Sequence, residues 1–100
     1  MSEKILCFNV RGRKLEKMNN ISITEYSEVK FNFYGNEWRD CLKIVNFCTN
    51  GDVHAVLLDS DDICEIPDDI FKTVSFSLFV SGIRSGYTIK TNRLLINRFI

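Results

Sequence analysis

The sequence is poor in the residues that build linkers, with one proline and five glycines among 100 positions. No stretch is of low complexity and no repeat occurs, so residues 1–100 read as a single domain. Net charge is also missing: thirteen basic residues balance thirteen acidic ones. That removes the overall field that draws a protein to nucleic acid or to an anionic membrane. No apolar run approaches the roughly 20 residues a membrane helix needs. The start, Met1-Ser-Glu-Lys-Ile-Leu-Cys-Phe8, is interrupted at Asn9 and Arg11 before it can form the apolar core of a secretion signal. His54 is the only histidine, so a Ser–His or Cys–His nucleophile pair would have to use it. It stands just after a turn, and no strained nucleophile elbow, glycine-rich phosphate loop or paired metal ligands accompany it. The expectation is a protein that is not an enzyme, has no cofactor and takes no small-molecule substrate.

What is present is the composition of a globule, 45% hydrophobic and 26% charged. The four cysteines, Cys7, Cys41, Cys48 and Cys64, avoid the close pairs of a zinc loop. In a reducing compartment they are expected to be buried free thiols.

Short runs of β-branched and aromatic residues recur, each ended by turn residues. In Thr73–Ser81, Val74, Phe76, Leu78 and Val80 alternate with Ser75, Ser77, Phe79 and Ser81. This is the period of a strand with one buried face. Val29, Phe31 and Phe33 alternate in the same way with Lys30, Asn32 and Tyr34. Further strands are expected at 5–10, 14–18, 43–49, 53–59, 63–66, 87–90 and 94–99. Asn50-Gly51 predicts a type I′ hairpin turn between two of them. Pro67 stops the strand before it, and Gly82 and Gly86 frame a turn. Residues 36–40 read as a turn or one loose helical turn, and residues 67–71 as another short helical turn. Seven to nine short strands separated by turns predict an all-β sandwich. Its expected core is Ile5, Val29, Phe31, Phe33, Trp38, Val45, Phe47, Leu57, Ile66, Val74, Phe76, Leu78, Val80, Leu94 and Ile96.

Charge is segregated along the neutral chain. Residues 52–69 hold six aspartates and one glutamate with no Lys or Arg, whereas residues 84–100 hold Arg84, Lys90, Arg93 and Arg98 with no acid. Asp59, Asp61 and Asp62 could meet these basic residues on a neighbouring molecule, or the charges could pair internally across strands. Asp59, Asp61, Asp62 and Glu65 also suggest a Ca²⁺ loop, but Asp-Ser-Asp-Asp lacks the glycine and the final Glu of an EF-hand and more often makes an ordinary turn. Trp38 with Tyr34 and Tyr87 could form a stacking platform for sugar, or Trp38 could plug the core between two sheets.

The order of these pieces resembles a family pattern. Val29-Lys-Phe-Asn-Phe33, Asn36-Glu-Trp-Arg-Asp40 and Lys43-Ile-Val-Asn-Phe47 are followed by a hairpin to Leu57-Leu58-Asp59 and by Cys64-Glu-Ile-Pro67-Asp68. A strand ending Val80-Ser-Gly82 and the step Thr91-Asn92 close the series. It is similar to the N-terminal module of tail and baseplate (minor structural) proteins of phages and prophages of Gram-positive bacteria, over roughly residues 4–99. The resemblance implies an immunoglobulin-like antiparallel β-sandwich and a passive role, docking to other virion proteins and to copies of itself. It also implies location in the virion, assembled in the bacterial cytoplasm. The sequence departs from the pattern by ending at Ile100 without a fibre or receptor-binding segment. The alternative is a module that binds a host surface glycan through Tyr34, Trp38 and Tyr87.

Overall fold

Period-two alternation sorts nearly every strand into an inner and an outer row. The computed structural model describes residues 5–17, 28–73 and 75–97. It contains β1 (Ile5–Arg11), β2 (Lys14–Lys17), β3 (Glu28–Tyr34), β4 (Leu42–Cys48), β5 (Val53–Leu57), β6 (Ile63–Glu65), β7 (Ser75–Arg84), β8 (Tyr87–Lys90) and β9 (Leu94–Asn97). A 3₁₀ turn, Asp68–Lys72, follows Pro67. Sheet A runs β2-β1-β3-β6; sheet B runs β5-β4-β7-β8, with β9 also on β7. The inner rows of the two sheets share one apolar core, which makes the molecule an all-β sandwich.

The core is strongly aromatic. Trp38, Phe8, Phe31, Phe47 and Phe76 are essentially inaccessible to solvent, and deleting one such ring typically destabilises by about 3–5 kcal/mol. Among the described residues, strand pairings are antiparallel except β1 with β3. In that parallel pair Phe8 stands opposite Phe31, and their rings stack at 5.0 Å and 14°. The offset stack adds to the area the two rings bury.

β8 and β9 lie end to end along the same side of β7. Leu78 pairs with Leu94 and Ser81 with Lys90, so residues 91–93 oppose only residues 79–80. This is a one-residue bulge. Thr91 satisfies it: its N–H donates to the Val80 carbonyl at 2.9 Å, and its Oγ1 accepts the Val80 N–H at 3.0 Å.

Several expectations need correction. Leu57 is 57% exposed on the outer face of β5; the inward phase belongs to Val56, and the chain turns after Leu57 so that Leu58 enters the core instead. Ile5 is half-buried on the outer row of β1, whose inner row is Leu6, Phe8 and Val10. Gly82 does not frame a turn. It continues β7, where a Cβ would lie 2.7 Å from the Trp38 ring. The Asn50-Gly51 hairpin forms, with the Thr49 N–H donating to Asp52 O at 2.9 Å, but only Gly51 has positive φ (+82°). A type I′ turn needs it at both residues. Val74 and Arg98 lie outside the described residues.

Candidate docking surface

The sandwich has two open sides, and the candidate residues sit at both. On one side the edge strands are β2 and β8–β9, and the bulge bridges them. The Asn92 N–H donates to Arg13 O at 3.1 Å, and Asn92 Oδ1 accepts the Leu15 N–H at 2.8 Å. Trp38 closes the end of this seam. Its Nε1–H donates to Gly12 O at 2.7 Å, and its ring lies 5.1 Å from that of Phe33. A buried indole that has both an apolar bed and a carbonyl partner is fixed in orientation.

On the other side the edge strands are β6 and β5, and the acidic loop joins them. Asp59 builds it. Its Oδ1 accepts the N–H groups of Asp61 (2.8 Å) and Ile63 (3.0 Å), its carbonyl accepts the Asp62 N–H at 3.0 Å, and its own N–H donates to Ile63 O at 3.0 Å. This is the local turn chemistry of aspartate. Asp62 follows with φ +62°, a conformation Asp tolerates better than most residues. Its carbonyl accepts the Phe31 N–H at 3.0 Å and its carboxylate pairs with Lys43 at 3.6 Å. Asp61 is exposed.

Shallow clefts surround Asp62, one of about 410 Å³ between Lys30, Asn32, Tyr34 and Asp61 and one of about 250 Å³ between Cys41, Leu57, Ser60 and Asp59. Among the described residues no group of three or more His, Cys, Asp and Glu side chains is placed to hold a metal ion.

The basic candidates lie elsewhere. Arg84 stacks over Tyr87 at 4.3 Å and its Nη1 donates to Arg39 O at 2.9 Å. Arg93 lies over Phe79 at 5.2 Å, and Lys90 is exposed on β8. Among the described residues no ion pair joins Arg84, Lys90 or Arg93 to Asp59, Asp61 or Asp62. The ion pairs among the described residues include Lys43 with Asp62, Lys14 with Glu16 and Lys72 with Asp69. The three aromatic candidates are not brought together as an open platform. Trp38 is 1% exposed, Tyr87 is half-buried under Arg84, and Tyr34 lies on the outer face of sheet A with Arg11 4.3 Å above its ring.

All four cysteines are free thiols; Cys48 and Cys64 are buried and Cys7 and Cys41 half-buried. Burial, aided by the nearby charges of Asp59, Glu28 and Glu65, pushes the Cys64 thiol up to about 12. At neutral pH it is a protonated apolar filler and not a nucleophile.

The reading of the residues missed one feature, the outer face of sheet B. Leu42, Val53, Leu57, Ile83 and Leu95 are all on it and all exposed. The signal was available, because the outward phase carries Leu42, Ile44 and Cys48 on β4 and Val53, Ala55 and Leu57 on β5, with Asn46 its one polar residue, beside the inward Val45, Phe47 and Val56. A strand with two apolar faces has a second surface to cover.

Fold and surface together define a β-sandwich domain. Among the described residues no helix is long and apolar enough to cross a membrane. No family model matches the sequence, no curated protein matches it, and no solved structure matches the fold.

Proposed function

We propose that this domain is a non-enzymatic structural module of a phage or prophage tail, acting in the virion by docking to other proteins. The observation that carries docking is the exposed apolar face of sheet B, since a patch of this kind marks a contact surface. The tail assignment draws its support from the resemblance of Val29–Phe47, Leu57–Asp68 and Thr91-Asn92 to that family. The rigid sandwich suits the role, because it presents a preformed surface that needs no ordering on binding. Glycan binding draws less support: Trp38 is buried, and the rings of Tyr34 and Tyr87 are each covered by an arginine.

The test is mass spectrometry and immunogold labelling of particles purified from a lysate of the host. The chain is expected in intact tails at a fixed stoichiometry to the other tail proteins. Its absence from washed particles would defeat the tail assignment.

A further inference from the structure

The two outer faces of the sandwich are chemically unlike. Sheet A presents Arg11, Lys14, Glu16, Lys30 and Glu65 to solvent. Sheet B presents Leu42 (62% exposed), Val53 (60%), Leu57 (57%), Ile83 (45%) and Leu95 (68%). Among the described residues Lys90 is the one charged residue at an outward strand position of sheet B. These side chains span the sheet from its β5 edge to its β9 edge, with the uncharged Asn46, Ser77 and Ser81 at outward positions among them, which is more apolar surface than single exposed residues give.

We propose that a second copy of the chain covers this face, the two sheets packing face to face about a two-fold axis parallel to the strands. The proposal rests on the docking reading and names its partner. Its first support is area. With strands about 4.8 Å apart and a rise of about 3.3 Å per residue, sheet B offers a footprint of roughly 500 Å² per copy. A pair therefore buries about 1,000 Å² or more, the size at which specific interfaces begin. Sheets pack this way routinely, about 10 Å apart and within about 30° of alignment.

Charge is the second support, and it chooses the axis. Lys90 and Arg93 stand at the β8–β9 edge of the face. Exposed acids flank the opposite edge: Asp52 precedes Val53 of β5, and Asp59 and Asp61 follow Leu57. An axis parallel to the strands lays the β5 edge of one copy over the β8–β9 edge of the other. Each basic edge then meets an acidic one, twice by symmetry. An axis across the strands would instead lay Lys90 and Arg93 over their own equivalents, a like-charge contact. The segregation of charge within a neutral chain acquires a use in this geometry.

Sedimentation equilibrium of the purified chain tests the proposal. The expected mass is twice the 11.6 kDa of one chain. Leu57→Asp and Leu95→Asp alter exposed side chains, so the thermal melt should stay two-state and the far-ultraviolet dichroism unchanged. Each is expected to weaken the dimer by tenfold or more, about 1.4 kcal/mol or above, because it places a carboxylate in the apolar contact. Lys90→Glu should also weaken it, and Lys90→Glu with Asp61→Lys should restore part of the loss. A monomer at the highest soluble concentration overturns the proposal and leaves the face to a different protein. A dimer indifferent to Leu57→Asp and Leu95→Asp overturns it by placing the contact elsewhere. These outcomes are independent of the particle experiment. A monomeric chain found in tails sinks the dimer alone, and a dimer absent from particles sinks the tail assignment alone.

Discussion

The two sides of the sandwich are closed by opposite means. On the β2 side, closure is made by a ring and a bulge, through Trp38 to Gly12 and Asn92 to Arg13 and Leu15. Its bonds are uncharged and join residues far apart in sequence. On the β6 side, closure is made by a carboxylate that folds its own loop, Asp59 to Asp61 and Ile63, with the Lys43–Asp62 pair and the Cys64 thiol beside it. The difference is between a joint that depends on the whole fold and a joint that is nearly complete in five consecutive residues. Substitutions on the two sides should therefore behave differently.

The largest effect is expected from Trp38→Ala. It removes a buried ring and leaves the Gly12 carbonyl without its donor, and should lower unfolding free energy by about 3–5 kcal/mol in urea titration. A loss below about 1 kcal/mol would show that the indole is not the plug of the β2 side. Asn92→Ala comes next, at about 2 kcal/mol, because the Leu15 amide loses its acceptor in a part-buried setting. Hydrogen exchange at Leu15 should accelerate in that variant while the β6 side stays protected.

The β6 side should answer to alkali instead. In the folded chain the Cys64 thiol holds its proton up to about 12, whereas the unfolded thiol titrates near 9.0. Between these values the native state binds the extra proton, so stability is full below about 9 and falls as pH rises. The fall should approach about 1.4 kcal/mol per pH unit. Cys64→Val should flatten this limb relative to the parent, and parallel curves would remove Cys64 as its cause. The smallest effect is expected from Asp59→Ala, about 1 kcal/mol, since water reaches the exposed amides it leaves behind. Asp59→Asn should recover most of that loss, which would separate the turn geometry from the charge.

The same contrast explains what could be read from the sequence. Strands were legible because Val29-Lys-Phe-Asn-Phe33 and the Phe76-Leu78-Val80 row carry their period locally. So were the Asp-Ser-Asp-Asp turn and the 3₁₀ turn after Pro67. Trp38 suits either a sugar platform or a core plug by its residue type, and the fold makes it the plug. What the sequence hid is long-range. Nothing near Asn92 announces that its amide belongs to Leu15, and nothing near Gly82 announces the indole that excludes a Cβ there. The parallel pairing of β1 with β3 is likewise a property of topology. For the docking residues the reading was partial. The charges at the margins of sheet B stand out in the sequence, but the exposed apolar residues between them do not, because Leu57 carries the composition of a core position and Leu42 and Ile83 stand at strand ends with no local sign of their face.

The seam at Asn92 also sets an order in time. Its bond to Leu15 spans 77 residues, so closing it before the sheets assemble costs the most loop entropy, and it is expected to form late. The Asp59 loop, whose Ile63 bond spans 4 residues, can close within a fluctuating chain before either sheet exists. Refolding kinetics should accordingly give Asn92→Ala a φ value near zero, with its loss appearing as faster unfolding, and Asp59→Ala a higher one. The β2 side would then act as the latch that governs how long the folded sandwich lasts, whatever sets its equilibrium stability.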